Sequence, residues 1–441
     1  MSVLTFKQGI HPEYNKELTR DIPFRKAKRP ARVTIPLQQH IGAPCQPLVK
    51  KGDHVDLGQK IGDSDSFVSA PVHASVSGVV KEIKKVPTPV GKESLAIVIE
   101  ADEEDTLAEG IAPKGNLEDL SPEEIRKIIR EAGIVGMGGA MFPTHVKLSV
   151  PEEKEAEYFI LNGAECEPYL TVDHRMMISR PEDIVFGLKV LMKAIGVEKG
   201  FIGIEDNKPE AISSMQEAVA GEEGIEVKVL ETKYPQGGEK MLIKAILGRE
   251  VPLGGLPIDV GVVVNNVTTA VAVADAIKKG MPLIERTITI TGRGIKEPAN
   301  LICRFGTAIN DLIREAGGFA GKPGKVILGG PMTGFAQPTT DLPVVKGTSG
   351  ILVLPRKEVE EFDPLPCIKC ARCVDSCPQF LMPVQLANFT EHQMYDKLER
   401  YNVLNCIECG SCSYICPAKR PLMHYIKLGK AEIIARKRKA Q

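Results

Sequence analysis

Two cysteine runs constrain this chain more than any other feature. Cys367, Cys370, Cys373 and Cys377, followed by Pro378, recur as Cys406, Cys409, Cys412 and Cys416, followed by Pro417. Three thiolates at this tight spacing reach three irons of one cubane cluster, and the fourth cysteine of each run ligates the other cluster. The spacing predicts one 4Fe–4S cluster on Cys367, Cys370, Cys373 and Cys416, and a second on Cys377, Cys406, Cys409 and Cys412. Thiolate is a soft donor suited to iron, and the metal itself lowers the pKa of the thiol. Structural zinc is the competing reading, with Cys367, Cys370, Cys406 and Cys409 as two ligand pairs. It leaves the other four cysteines of the repeat without a role. The motif points to electron transfer and names neither donor nor acceptor.

The length of 441 residues suggests about three domains. Eleven cysteines, of which Cys45, Cys166 and Cys303 are scattered, do not form a secreted disulfide pattern, and free thiols beside iron–sulfur ligands imply a reducing cytoplasm. Met1 to Ile10 has no signal-peptide character. No apolar run reaches the roughly 18 residues of a membrane helix. The nearest, Val260 to Ala276, is interrupted by Asn265, Asn266 and Asp275. A net charge of −1 gives no global attraction for nucleic acid or anionic lipid. The tail Arg436-Lys437-Arg438-Lys439 reads as a solvated helix end, with docking to a membrane or to a neighbouring subunit as the other reading.

Residues 1–30 are polar and proline-bearing and read as an arm. Residues 31–112 read as short strands, with β-branched runs at Val33–Ile35 and Ala96–Ile99. Two turn-rich copies between them, 49–62 and 69–80, resemble the barrel-sandwich of biotinyl and lipoyl carriers. The hairpin tip Val72-His73-Ala74 has no lysine for a prosthetic group, so the module reads as structural or docking, with Cys45 and His73 packed or solvated.

A helix is expected over Asn116–Glu131, with Ser121 and Glu124 as a capping box. Next comes a glycine-rich loop through Gly136, Gly138 and Gly139 to His145 and Lys147. Such a loop lets backbone amides face a phosphate, although alone it is a weak signal. Tyr158–Asn162 reads as a buried strand, and Glu165, Glu167 and Asp173 follow it, placed at the carboxyl edge where open α/β sheets bind ligands. In this stretch Cys166 reads as a small packed residue, His145 as solvated, and Asp173-His174-Arg175 as an ordinary helix start. Helices over Gly187–Ile195 and Pro209–Val219 then alternate with strands over Lys199–Ile204 and Ile225–Leu230. Residues 113–284 thus form an α/β unit. A strand from Arg286, a helix over Gly306–Gly318 and a strand at Lys325–Met332 make residues 285–356 resemble a β-grasp module. Residues 357–441 hold the cysteine runs, with a helical pair at Pro383–Leu404.

The motifs Gly136-x-Gly138-Gly139-Ala140-x-Phe142-Pro143-Thr144 and Asn162-x-x-Glu165-x-Glu167-Pro168 resemble the flavin- and NADH-binding subunit of respiratory complex I. Tyr234-x-x-Gly237-Gly238-Glu239 and Asn265-Asn266-Val267 continue the likeness in order. The whole arrangement is more similar to the RnfC family of Rnf electron-transport complexes, which the openings His11-Pro12-Glu13 and Gln39-His40-Ile41-Gly42 also resemble. This resemblance implies a multidomain α/β chain: a barrel-sandwich hybrid, a Rossmann-like flavin/NADH domain, a β-grasp module and a helical double-cluster ferredoxin domain. It implies FMN held by Gly136, Gly138, Gly139, Lys147, Asn162, Glu165, Asn265, Asn266 and Thr269. It implies NAD(H) met by Phe142, Glu167 and Glu239. The implied activity is hydride exchange between NAD(H) and FMN and a single-electron relay through two 4Fe–4S clusters. The implied setting is peripheral, on the cytoplasmic face of the cell membrane, where other subunits translocate ions and ferredoxin is an indirect partner. The complex I loop carries an arginine where Met137 stands and acids where Ala164 and Gly238 stand. A soluble reductase like the microcompartment cobalamin reductases, and a non-catalytic electron-carrier adaptor, are the alternative readings.

Overall fold

A computed structural model describes residues 3–89, 91–359 and 362–440. Positions 1, 2, 90, 360, 361 and 441, which fall within the expected arm, barrel and cluster modules, lie outside the described residues.

The barrel-sandwich expected near the start is present. One antiparallel sheet runs in the order Arg32–Pro36, Glu93–Ala101, Gly78–Pro87, His54–Val55, and a small sheet joins Gln46–Pro47, Lys60–Asp63 and Val72–His73. Val33 lies opposite Ile99 and Ile35 opposite Ile97. Alternation sends these side chains inward, where Val55, Ile61, Val72 and Val80 meet them in one apolar core. Cys45 and His73 are both buried.

The next unit is a parallel sheet in the order Ile225–Leu230, Lys199–Glu205, Tyr158–Asn162, Val262–Asn266. Its strands are near-continuous apolar runs because helices cover both faces. Helices Pro181–Ile195 and Val267–Lys278 cover one face and Glu239–Leu247 the other. The helix expected from Asn116 starts at Pro122: Ser121 Oγ accepts from Glu124 N at 3.2 Å, and Ser121 N donates to Glu124 Oε2 at 2.8 Å. The capping box, with proline at the first helical position, outweighs the residues before it, which form a separate 3₁₀ turn over Leu117–Asp119.

Gly187 is where the two large helices touch. A Cβ there would lie 2.0 Å from the Ala270 carbonyl oxygen. A backbone atom cannot rotate away, so Gly187→Ala is expected to cost about 3 kcal/mol by overpacking. Thermal melting checks this, and a melting temperature equal to that of the parent chain would contradict it.

Glu285–Thr291 and Gly350–Pro355 run parallel at the centre of a mixed sheet, flanked by Ala299–Arg304 and Pro323–Leu328, with helix Ile309–Glu315 packed against it. This is β-grasp topology. The helix is shorter than the expected Gly306–Gly318. Residues 1–30 depart most from expectation. Phe24–Lys26 adds an outer strand parallel to Ala299–Arg304, Leu4 bridges Leu230, Ile10 bridges Tyr234, and Gly9 N donates to the Ser376 carbonyl. The segment stitches three units together rather than projecting as an arm.

The expected helical pair appears as Pro383–Glu391 and Tyr395–Arg400, packed on the final helix Leu422–Ala440. The basic tail is that helix's end, where Lys437 pairs with Glu399 and Arg436 with Glu432. Among the described residues, no helix is long and apolar enough to cross a membrane.

Candidate functional site

A cleft opens where the parallel sheet, the β-grasp sheet and the barrel module meet. The strands Tyr158–Asn162 and Val262–Asn266 end side by side, with Asn162 in register with Asn266. This is the carboxyl edge predicted from the sequence. Gly138, Gly139, Asn162, Glu165, Glu167 and Asn266 line the cleft. Gly138 must be glycine, since a Cβ would lie 2.8 Å from Asn266 Nδ2. Gly136, Asn265 and Thr269 are not among the lining residues. Gly136 N donates to the Phe142 carbonyl at 2.9 Å, and Thr269 Oγ1 accepts from Met137 N at 3.1 Å, which sets the loop against the start of helix Val267–Lys278. Asn265 is buried, and among the described residues its Nδ2 has no partner. A buried amide left orphaned awaits an acceptor.

Lys147, Phe142 and Glu239 also do not line the cleft. Lys147 Nζ bonds Glu239 Oε1 at 2.8 Å and the Val264 carbonyl at 3.0 Å. The two residues expected to meet different cofactors thus neutralise each other.

The carboxylates are individually occupied. Glu165 accepts from Asp173 N at 2.8 Å and His174 N at 3.1 Å, capping helix Val172–Ser179. Asp173 accepts from Asn266 Nδ2 at 2.7 Å and Thr268 Oγ1 at 2.8 Å. Burial, and then Glu165 beside it, push Asp173 up to about 6. Glu167 reaches across to the β-grasp unit and accepts from Met332 N at 3.1 Å and Thr333 N at 2.8 Å. Burial raises its pKa as well. Lys16, from the first thirty residues, holds the Glu165–Leu170 loop: its Nζ donates to the Glu165 and Glu167 carbonyls at 2.9 Å each.

Two other sequence readings change. His145 is buried, not solvated: its Nε2 lies 3.1 Å from the Phe67 carbonyl, edge-on to the Phe67 ring. The reading of Cys166 as packed holds, and its location adds meaning. Cys166 lines the cleft, its Sγ accepts from Gly237 N at 3.2 Å, and it packs with Tyr234 and Cys409. Tyr234 Oη donates to the Cys409 carbonyl at 2.8 Å.

Cys409 belongs to a second cavity. Cys377, Cys406, Cys409 and Cys412 line a small pocket walled by Leu381, Leu386, Ile407 and Ile426. These are the four cysteines that cross-ligation assigns to one cluster. Burial pushes the free thiol of Cys406 up to about 12. A binding metal would displace such protons, because thiolate is the ligating form. In the other set, Cys367 and Cys416 are the thiols acting on Cys373, and Cys367 and Cys370 are exposed. The two runs also match in local structure. Lys369 and Glu408 have φ of 57° and 58°, and each turns its N–H onto the sulfur two residues back, Cys367 or Cys406, at 3.4 Å. Such donors favour thiolate. Four thiols around an apolar cavity fit a cubane cluster.

Sequence reading missed Lys16, Arg286 and the joint role of Tyr234 and Cys166. For Arg286 a signal existed. Strand alternation puts it on the face of Ile288 and Ile290, a cation on an apolar stripe.

Comparison with known proteins agrees with this layout. Residues 4–104 match the RnfC barrel sandwich hybrid domain, residues 129–275 the Nuo51 FMN-binding domain, and residues 360–417 the 4Fe-4S dicluster domain. The chain is 52% identical to the RnfC-type chain of the Na(+)-translocating ferredoxin:NAD(+) oxidoreductase complex of Acetobacterium woodii, over 99% of this chain and 98% of that one. It is 51% identical to the counterpart from the proton-translocating ferredoxin:NAD(+) oxidoreductase complex of Clostridium ljungdahlii, over 97% of this chain and 94% of that one. Among solved structures, a chain of an NAD+-reducing [NiFe]-hydrogenase in the air-oxidized state shares the fold, with a TM-score of 0.50, 19% identity, and 75% of this chain and 72% of that one covered. Identity of about half, carried end to end through every module, places the chain in the RnfC family of ion-translocating ferredoxin:NAD(+) oxidoreductase complexes.

Proposed function

We propose that this chain is the flavin- and iron–sulfur-carrying subunit of a complex that passes electrons between NAD(H) and a ferredoxin-type partner. It sits peripherally on the cytoplasmic face of a membrane whose other subunits translocate ions. One observation carries this reading. Cys166, which lines the cleft, packs in one buried cluster with Tyr234 and with Cys409, which lines the four-cysteine cavity, and Tyr234 Oη bonds the Cys409 carbonyl.

FMN in the cleft would supply hydride exchange with NAD(H) and the change from electron pairs to single electrons, which two 4Fe–4S clusters would carry onward. Gly138, Gly139, Asn162, Glu165 and Asn266 hold the flavin, and Gly136, Asn265 and Thr269 shape the loop behind them. Lys147 and Glu239 brace the sheet edge as an ion pair. Glu167 keeps the β-grasp loop closed over the cleft, where NAD(H) enters beside it. The buried contact of Cys166, Tyr234 and Cys409 excludes water between the two sites. Burial holds the Tyr234 phenol far above its usual pKa, so this contact adds no charge to the path. The cluster of Cys377, Cys406, Cys409 and Cys412 is therefore proximal to the flavin. The cluster of Cys367, Cys370, Cys373 and Cys416 is distal, with exposed Leu365 and Ile368 beside it as the face for the electron partner.

An anaerobic absorption spectrum of the purified chain, taken before and after NADH, tests this. Flavin bands and an iron–sulfur shoulder should both bleach. A shoulder without flavin, unresponsive to NADH after FMN is added, would refute the reading and leave an electron-carrying adaptor.

A further inference from the structure

Arg286 is the most unusual charged residue at the cleft. It sits on the β-grasp strand Glu285–Thr291 and is 4% exposed, yet it lines the cleft. Among the described residues, its side-chain hydrogen bonds go only to backbone carbonyls: Nη1 to Lys346, Nη2 to Met137 at 3.3 Å, and Nε to Thr287 at 3.2 Å. A guanidinium has five N–H groups, so two remain. Among the described residues, no carboxylate lies within ion-pair distance of it. Burial lowers the Arg286 pKa to about 10, and Cys303 and then Asp173 only partly oppose this. Among the described residues lining the cleft, Arg286 is the one cation, against Glu165, Glu167 and Asp173. A desolvated charge without a counter-charge is costly unless a ligand provides one.

The cleft has two distinguishable ends. Cys166 and Gly237 mark the end next to Tyr234 and Cys409. Arg286, Gly347 and Gln39 mark the end against the barrel module, where Gln39 Oε1 accepts from Lys346 N. Resting on the flavin reading above, the redox-active ring belongs at the Cys166 end, and the ribityl chain then runs toward Arg286. We infer that Arg286 is the counter-charge for the flavin phosphate, a positioning residue delivered by the β-grasp module to a loop whose own position 137 is methionine. The loop and the cation come from different modules, so the site is complete only when the two are docked.

The test compares FMN with riboflavin, which lacks the phosphate, by fluorescence titration of the flavin-stripped chain, with iron content as a control for folding. The unaltered chain should bind FMN at least about tenfold more tightly than riboflavin, as a charge-assisted contact requires. Arg286→Met should abolish that preference and leave riboflavin affinity unchanged, Arg286→Lys should keep part of it, and Met137→Arg added to Arg286→Met should restore part. Equal losses for both ligands in Arg286→Met would mean that the arginine only braces the fold and would overturn the inference. So would an unaltered chain that binds the two ligands equally, a result needing no variant. An unaltered chain that binds neither would refute the flavin reading itself.

Discussion

Cys377→Ala is expected to remove the cluster assigned to the second cysteine run, although Cys377 lies in the first. Iron should fall from about eight to about four atoms per chain, and Cys412→Ala should give the same surviving spectrum. Cys416→Ala should remove the other cluster. The structural basis is that Cys377 lines a cavity with Cys406, Cys409 and Cys412, whereas Cys416 neighbours Cys373. The functional consequence follows from position. With the proximal cluster gone, NADH should still bleach the flavin, but the remaining iron–sulfur absorption should not respond. Iron analysis and low-temperature electron paramagnetic resonance of the reduced protein read both outcomes. If Cys377→Ala instead leaves the same surviving spectrum as Cys373→Ala, each run holds its own cluster and the cross-ligated arrangement is wrong.

Lys16→Met should damage both stability and flavin binding. Lys16 is buried, and its ammonium donates to the Glu165, Glu167 and Leu170 carbonyls. Removing it strands the buried Leu170 carbonyl and the partly buried Glu165 and Glu167 carbonyls, with an expected cost of about 3 kcal/mol. The loop it holds carries Glu165, Cys166 and Glu167 to the cleft, so flavin affinity should fall with stability. Trypsin should also cut faster at Arg20, which is exposed and lies just beyond the lost anchor. A variant with unchanged melting temperature and unchanged trypsin sensitivity would show that the first thirty residues are held by their strand pairing alone.

Where chemistry is local, the sequence was a good guide. The Ser121–Glu124 capping box, the strands Tyr158–Asn162 and Ile225–Leu230, and the barrel alternation at Val33 and Ile35 all lie within a few residues of their cause. The pairing of Lys147 with Glu239 was not legible, because it joins positions 92 residues apart that resemblance assigns to different ligands. The role of residues 1–30 was hidden for the same reason. Polar, proline-bearing composition describes a segment without its own core, and it is silent on whether another core receives it.

The sequence by itself determined the modules and singled out the eight cysteines of the two runs, because motif spacing, caps and alternation depend on near neighbours. Only the tertiary structure decided which cysteine cavity lies against the cleft, that Lys16 grips carbonyls 149 to 154 residues away, and that Arg286 faces a loop 149 residues away. Those are contacts between surfaces, and a surface exists only after each module has folded and docked.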